Sequence, residues 1–261
     1  MMRLLLALLL SLGSIIPLAR ADSGSDPGEL RRTWEAAWVF LPADTPAGYR
    51  RDGVGALEEV PAGSPVVVYA HGCDGLGDAA AESGRFLARA GYVAVMPDSF
   101  ARLDKPVSCR PAQHQGGLHR GVIAWRQAEL ANALDQLAGL GHASRSVALY
   151  GLSQGAITVA TFTGPPVAAR VIEGWTCQAG WPEYRGLAAP ADEPVLALLG
   201  ERDPWFKAAV LRGDCGAYMT GRTGSRSVVF REPNFLARRH WLSFQPEVQS
   251  LIVDFLRASL R

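Results

Sequence analysis

Apolar residues run along this chain in two rhythms. Six short runs, residues 65–70 (PVVVYA), 92–96 (YVAVM), 146–150 (SVALY), 167–172 (VAARVI), 195–199 (VLALL) and 227–230 (SVVF), are bounded mostly by Gly, Pro or polar residues. Continuous apolar stretches of that length read as strands buried on both faces. Between and after them the period lengthens to that of a helix. Residues 78–90 have helical spacing and stop at Gly91, a helix-ending residue. Residues 119–140 can put Val122, Trp125, Leu130, Leu134 and Leu137 on one apolar face before Gly139 and Gly141 end the helix. Residues 246–260 open with proline and carry Val248, Leu251, Ile252 and Phe255 at helical spacing. Earlier, residues 33–41 (TWEAAWVFL) read as a strand and 42–48 as a turn. Strands alternating with helices predict an α/β fold: a mainly parallel, doubly wound sheet with helices on both faces. Right-handed crossovers then gather the loops at the carboxyl ends of the strands along one rim, where the sites of such sheets lie. No internal repeat interrupts the pattern.

The first residues break this scheme. One arginine, an apolar run from Leu4 to Leu12 that continues through Ile16, and the small-x-small signal Ala19, Arg20, Ala21 read as a secretory signal peptide over residues 1–21, cleaved after Ala21. The unbroken run is shorter than the roughly 20 apolar residues needed to span a bilayer, and the leader has no cysteine for a lipid anchor. Residues 22–261 then form one domain, secreted or periplasmic, with no stable membrane association after cleavage. Lysine plus arginine (26) nearly balances aspartate plus glutamate (25), so nothing favours nucleic acid or an anionic membrane. Cys73, Cys109, Cys177 and Cys215 are an even set in an exported chain, which favours disulfides over metal ligands. Three pairings are possible; pairing nearest neighbours closes two loops of similar size, each contributing roughly 3–4 kcal/mol. Neither CxxC nor HExxH is present, and no metal or cofactor is called for.

The candidate chemistry centres on Ser153, at the tip of GLSQG between the 146–150 run and a small-residue stretch that can start a helix. This is the layout of a nucleophile elbow, where a sharp strand-to-helix turn exposes Oγ and Gly151 and Gly155 let the backbones pass. A serine hydroxyl needs an imidazole to take its proton and a carboxylate to hold that imidazole. His71, His114 and His119 precede the serine, and His142 lies before the elbow strand, at the opposite rim. His240, ten residues past the run ending at Phe230, is the expected base. Asp203 lies just beyond the 195–199 run, in GERDPW, and is the expected acid, with Glu201 its near competitor. Asp192 and Glu193 start at the wrong rim, and Asp214 is less close to the strand. Backbone N–H groups of Gln154 and of Cys73, in the HGCDG turn, are the expected oxyanion donors, with Asp74 the alternative to Cys73. His71 reads as a structural hydrogen-bonding residue.

In this order the HGCDG turn, YVAVMPDSF, GLSQG, LGERDPW and ARRHW resemble the dienelactone hydrolase family of α/β-hydrolases, over roughly residues 60–258. The resemblance implies an α/β-hydrolase fold and hydrolysis of a small-molecule ester or lactone by acylation and deacylation. Residue by residue it implies Ser153, Asp203 and His240 as the triad. Serine stands where dienelactone hydrolases proper use cysteine, which with the leader and four cysteines points to a general exported carboxylic-ester hydrolase. Between Ile172 and Val195 there is no room for a large cap, which predicts a shallow, open pocket. Trp175, Trp181, Tyr184, Trp205, Phe206 and Trp241 fall in loops near the active rim, as an aromatic wall or as loop packing. A peptidase or acyltransferase would use the same triad. A non-catalytic exported binding protein on a hydrolase scaffold is the reading from another class.

Overall fold

The computed structural model describes residues 23–260; the expected leader lies outside the described residues. Among these residues ten strands occur: β1 (Trp38–Pro42), β2 (Tyr49–Asp52), β3 (Val66–Ala70), β4 (Val93–Met96), β5 (Cys109–Arg110), β6 (Gln115–Gly116), β7 (Val147–Leu152), β8 (Ala169–Glu173), β9 (Val195–Gly200) and β10 (Arg226–Phe230). The α-helices are α1 (Pro27–Glu35), α2 (Asp78–Arg89), α3 (Arg120–Gly139), α4 (Gln154–Ala160) and α5 (Pro246–Ser259). Eight strands make one sheet in the order β10-β9-β8-β7-β3-β4-β1-β2, while β5 and β6 pair as a separate hairpin. From β10 to β4 every pairing is parallel; β1 joins β4, and β2 joins β1, antiparallel.

Every residue of β3, β4, β7, β8 and β9 is buried. Successive side chains leave a strand on opposite faces, so Val66, Val68 and Ala70 join the core under α3 and α4, while Val67 and Tyr69 join the core under α2 and α5. This two-sided cover is why those strands read as unbroken apolar runs rather than alternating ones. The sheet is thus the mainly parallel, doubly wound α/β sheet the pattern predicts, and among the described residues no cap domain is inserted into it.

Three elements differ from expectation. Residues 33–35 end a helix instead of starting a strand, because Asp26 caps α1 by accepting from Glu29 N at 2.9 Å and Pro27 occupies its first turn; the strand begins only at Trp38. Strand β2 is the polar segment YRRD at the sheet edge, and such a strand carries no apolar signal. Between β8 and β10 no α-helix intervenes: β8, β9 and β10 are linked by irregular chain with 3₁₀ turns at Pro182–Tyr184, Ala209–Leu211 and Cys215–Tyr218, and only α5 follows them. Bonds Cys73–Cys109 and Cys177–Cys215 join nearest neighbours in sequence, and the second ties the two irregular links together. Among the described residues no helix is long and apolar enough to cross a membrane.

At the rim away from the strands' carboxyl ends, Arg170 and Glu193 form a buried ion pair. Arg170 also donates to Val159 O (2.9 Å) and Phe162 O (2.7 Å), around the carboxyl end of α4, where a cation suits the helix dipole. Glu193 therefore serves the scaffold.

Candidate active site

Strand β7 delivers Ser153 into the turn before α4 with φ 60° and ψ −120°. For a non-glycine residue this backbone costs about 1–3 kcal/mol and persists only where its surroundings over-determine it. Two constraints do so. Ser153 N donates to Glu173 O at 2.8 Å, and the α4 backbone passes so close to β3 that a Cβ on Gly155 would lie 1.9 Å from Ala70 O. Only glycine fits at 155.

Asp203 follows β9 and is 6% exposed. Its Oδ1 accepts from Trp205 N at 2.9 Å, and its Oδ2 accepts from His240 Nδ1 at 2.6 Å. Nδ1 is therefore a donor, leaving Nε2 for other chemistry. Nε2 is buried and has no hydrogen-bond partner among the described residues. Trp205 stacks on the imidazole with ring centroids 5.1 Å apart, and Phe206 packs at 5.8 Å. Glu201, the competing acid, instead pairs with exposed Arg231 at 2.7 Å.

Ser153, His240 and Cys73 line one cleft of about 230 Å³, together with Trp205, Trp241 and His114. A smaller hollow of about 30 Å³ that also reaches Ser153 is lined by Gln154, Trp175, Phe206 and His240 among others. Trp181 and Tyr184 line neither and pack on each other instead. Backbone N–H groups of Cys73 and Gln154 make no hydrogen bond to the described residues.

Further residues support the site, of which Arg126 and Glu129 escaped the sequence reading. Arg126, buried on α3, donates to His71 O and, at 3.1 Å, to Gln154 Oε1, so one guanidinium spans the HGCDG turn and the elbow. Burial lowers its pKa to about 10, leaving it charged at neutral pH. Gln154 Nε2 donates to Gly117 O at 2.6 Å and to Ser108 Oγ at 2.9 Å, which pins the β5–β6 hairpin to the elbow. His71 Nδ1 donates to Gly72 O (2.6 Å) and Nε2 accepts from Ser99 N (3.3 Å). Burial, and then the Arg126 charge, hold its pKa well below the ordinary histidine value. It is a neutral structural residue. Arg126 and Glu129 keep the phase of the buried face of α3, and that phase was their one signal in the sequence. Glu129 pairs there with buried Arg102. Among the described residues no cluster of His, Cys, Asp and Glu could hold a metal ion.

Solved structures share the fold. A dienelactone hydrolase-like promiscuous phosphotriesterase from metagenomic libraries superposes with a TM-score of 0.57 at 16% identity, covering 86% of this chain and 98% of its own. A phospholipase/carboxylesterase from Dyadobacter fermentans gives 0.54 at 13% identity, covering 77% and 92%. The thermostable carboxylesterase EstE1, cloned from a metagenomic library, gives 0.52 at 15% identity, covering 92% and 96%. No curated protein matches the chain. The sequence profile of the dienelactone hydrolase family matches residues 53–213, from the approach to β3, through the elbow, to beyond Asp203; with more than half of its length matched, the chain belongs to the dienelactone hydrolase family.

Proposed function

We propose that the chain is an exported serine hydrolase that cleaves carboxylic esters or lactones through an acyl-enzyme, with Ser153 as nucleophile, His240 as base and Asp203 as the acid that orients it. The observation that carries this reading is the 2.6 Å bond from His240 Nδ1 to buried Asp203, behind a cleft shared with a strained Ser153. His240 Nε2 removes the Ser153 proton, Oγ attacks the ester carbonyl, and negative charge collects on the carbonyl oxygen. The N–H groups of Gln154 and Cys73 receive that charge; one such donor is worth about 3–4 kcal/mol. Collapse expels the alkoxide, which takes the proton back from His240, and water repeats the sequence to free the acid. The contact between Oγ and Nε2 is open here, as it often is before substrate draws the groups together. Membership of a hydrolase family and the fold shared with carboxylesterases support ester substrates. Two disulfides support an oxidising compartment, reached with a leader over residues 1–21 and leaving one catalytic domain over 22–261.

The test is labelling by a fluorophosphonate probe and turnover of short-chain nitrophenyl esters, beside Ser153→Ala. The wild type labels and turns over; the variant does not label and loses several orders of magnitude in kcat. Asp203→Asn loses about 10⁴-fold by leaving the wrong imidazole tautomer, whereas Glu201→Gln stays near wild type. An unlabelled, inactive wild type makes the chain a binding protein on a hydrolase scaffold, and activity confined to amides or to acyl transfer moves it to the peptidase or acyltransferase class.

A further inference from the structure

Strand β8 ends in Glu173, a fully buried carboxylate that forms no ion pair with an arginine or lysine among the described residues. Leaving a buried carboxylate without hydrogen bonds is costly, and this one takes four. Oε1 accepts from Leu242 N and, at 2.7 Å, from Ser243 N. Oε2 accepts from Ser243 Oγ at 2.9 Å and from Tyr150 OH. Burial, and then the Glu173 charge, push the Tyr150 pKa well up, so the phenol stays protonated and donates. Ser243 Oγ in turn accepts from Trp241 Nε1 at 3.1 Å. Every backbone group gripped here lies within three residues of His240. The main chain at the same point holds both partners of the proposed proton transfer. Glu173 O accepts from Ser153 N, and Gly174, at φ +69°, brings the backbone so near that a Cβ there would stand 2.8 Å from His240 O. One residue therefore joins the nucleophile turn through its carbonyl to the histidine loop through its carboxylate.

We propose that Glu173 is a positioning residue that sets the His240 imidazole between Asp203 and Ser153 by anchoring the loop of residues 241–243. This rests on the Ser153–His240–Asp203 reading above. Asp203 holds the ring at Nδ1, and Trp205 and Phe206 pack on it, but none of these fixes the backbone from which the ring hangs; the Glu173 anchor does. A catalytic group displaced by about 1 Å loses up to about 100-fold in rate, so the anchor acts on turnover more than on binding.

Glu173→Gln keeps the side-chain volume, and its carbonyl oxygen can still accept one set of bonds. Its amide brings N–H donors to a place where Glu173 accepts. The expected result is kcat lowered by about 10- to 100-fold, with KM within about twofold. Fluorophosphonate labelling of Ser153 slows by the same factor, and the circular dichroism spectrum is unchanged. In a His240→Ala background the same substitution costs nothing further, because the group it positions is gone. Should Glu173→Gln fail to fold, Ser243→Ala and Tyr150→Phe each remove one donor, and each lowers kcat severalfold with KM unchanged. Wild-type turnover in Glu173→Gln, or an equal loss with and without His240, overturns the positioning role while leaving the triad intact. An unlabelled wild type overturns the triad first and the positioning role with it.

Discussion

Ser153 adopts its unfavourable backbone because its neighbours leave it no other path. Gly155 is one of these, and its constraint is testable alone. Alanine there would drive a Cβ to 1.9 Å from Ala70 O and 2.5 Å from the Ala70 carbonyl carbon, both in the central strand β3. Backbone locked between two sheet neighbours cannot retreat, so Gly155→Ala should destabilise by about 3 kcal/mol, read as a lower urea midpoint. An unchanged midpoint would mean that the elbow has slack. His71 makes a prediction in pH. Its folded pKa lies well below the ordinary histidine value of 6.5, whereas the unfolded histidine takes a proton as pH falls through that value. The folded state then binds fewer protons, so this contribution is complete above about pH 6.5 and is lost below it, by up to about 1.4 kcal/mol per pH unit. Urea unfolding at pH 7 and pH 5.5 should show a smaller stability loss in His71→Asn than in wild type; equal losses would exclude His71 as a source. Ser153, Asp203 and His240 were legible because each follows an apolar run at its carboxyl end. Glu173 also ends such a run, yet a single acidic residue after VAARVI says nothing about the loop 70 residues on that it grips.

Among the elements, the HGCDG turn is held in position from outside its own segment. Cys73 is bonded to Cys109 in the β5–β6 hairpin, and Gln154 and Arg126 tie that hairpin and turn to the elbow. If Cys73 N–H is an oxyanion donor, releasing this tether lets the donor drift before the sheet notices. Reductant titration should therefore lower esterase activity at concentrations where the far-ultraviolet spectrum is still native. The Cys73→Ser/Cys109→Ser double variant should fold and lose up to about 100-fold in kcat, the scale of one misplaced donor. Activity and fold falling together would make the bond merely structural. Element type was readable wherever period and punctuation agreed, as in α2, α3 and α5. It failed at residues 33–35, where the cap Asp26 and Pro27 lie upstream of the segment they control, and at β2, whose pairing with β1 owes nothing to apolar pattern.

At the scale of the whole molecule the two rims of the sheet have separate duties. The carboxyl rim gathers Ser153, Asp203, His240 and Glu173, while the opposite rim holds the buried Arg170–Glu193 pair against the end of α4. Arg170→Met leaves Glu193 buried without its cation and should destabilise by about 3–5 kcal/mol, whereas Arg170→Met with Glu193→Leu should recover most of that loss. Both variants should keep wild-type kcat per folded molecule; a large loss of kcat in the stable double variant would mean that the rims are coupled. By itself the sequence determined the parallel strands of the sheet, the helices α2, α3 and α5, and the serine, acid and histidine candidates, because these depend on local period and on which end of a strand a residue follows. Only the tertiary structure decided that Asp203 rather than Glu201 meets His240, that Trp205 covers the imidazole, and that Arg126 and Glu173 brace the two sides of the cleft. Those are contacts between residues 28 or more positions apart along the chain, and no local pattern encodes such a meeting; it follows from the strand order and from where each loop leaves the sheet.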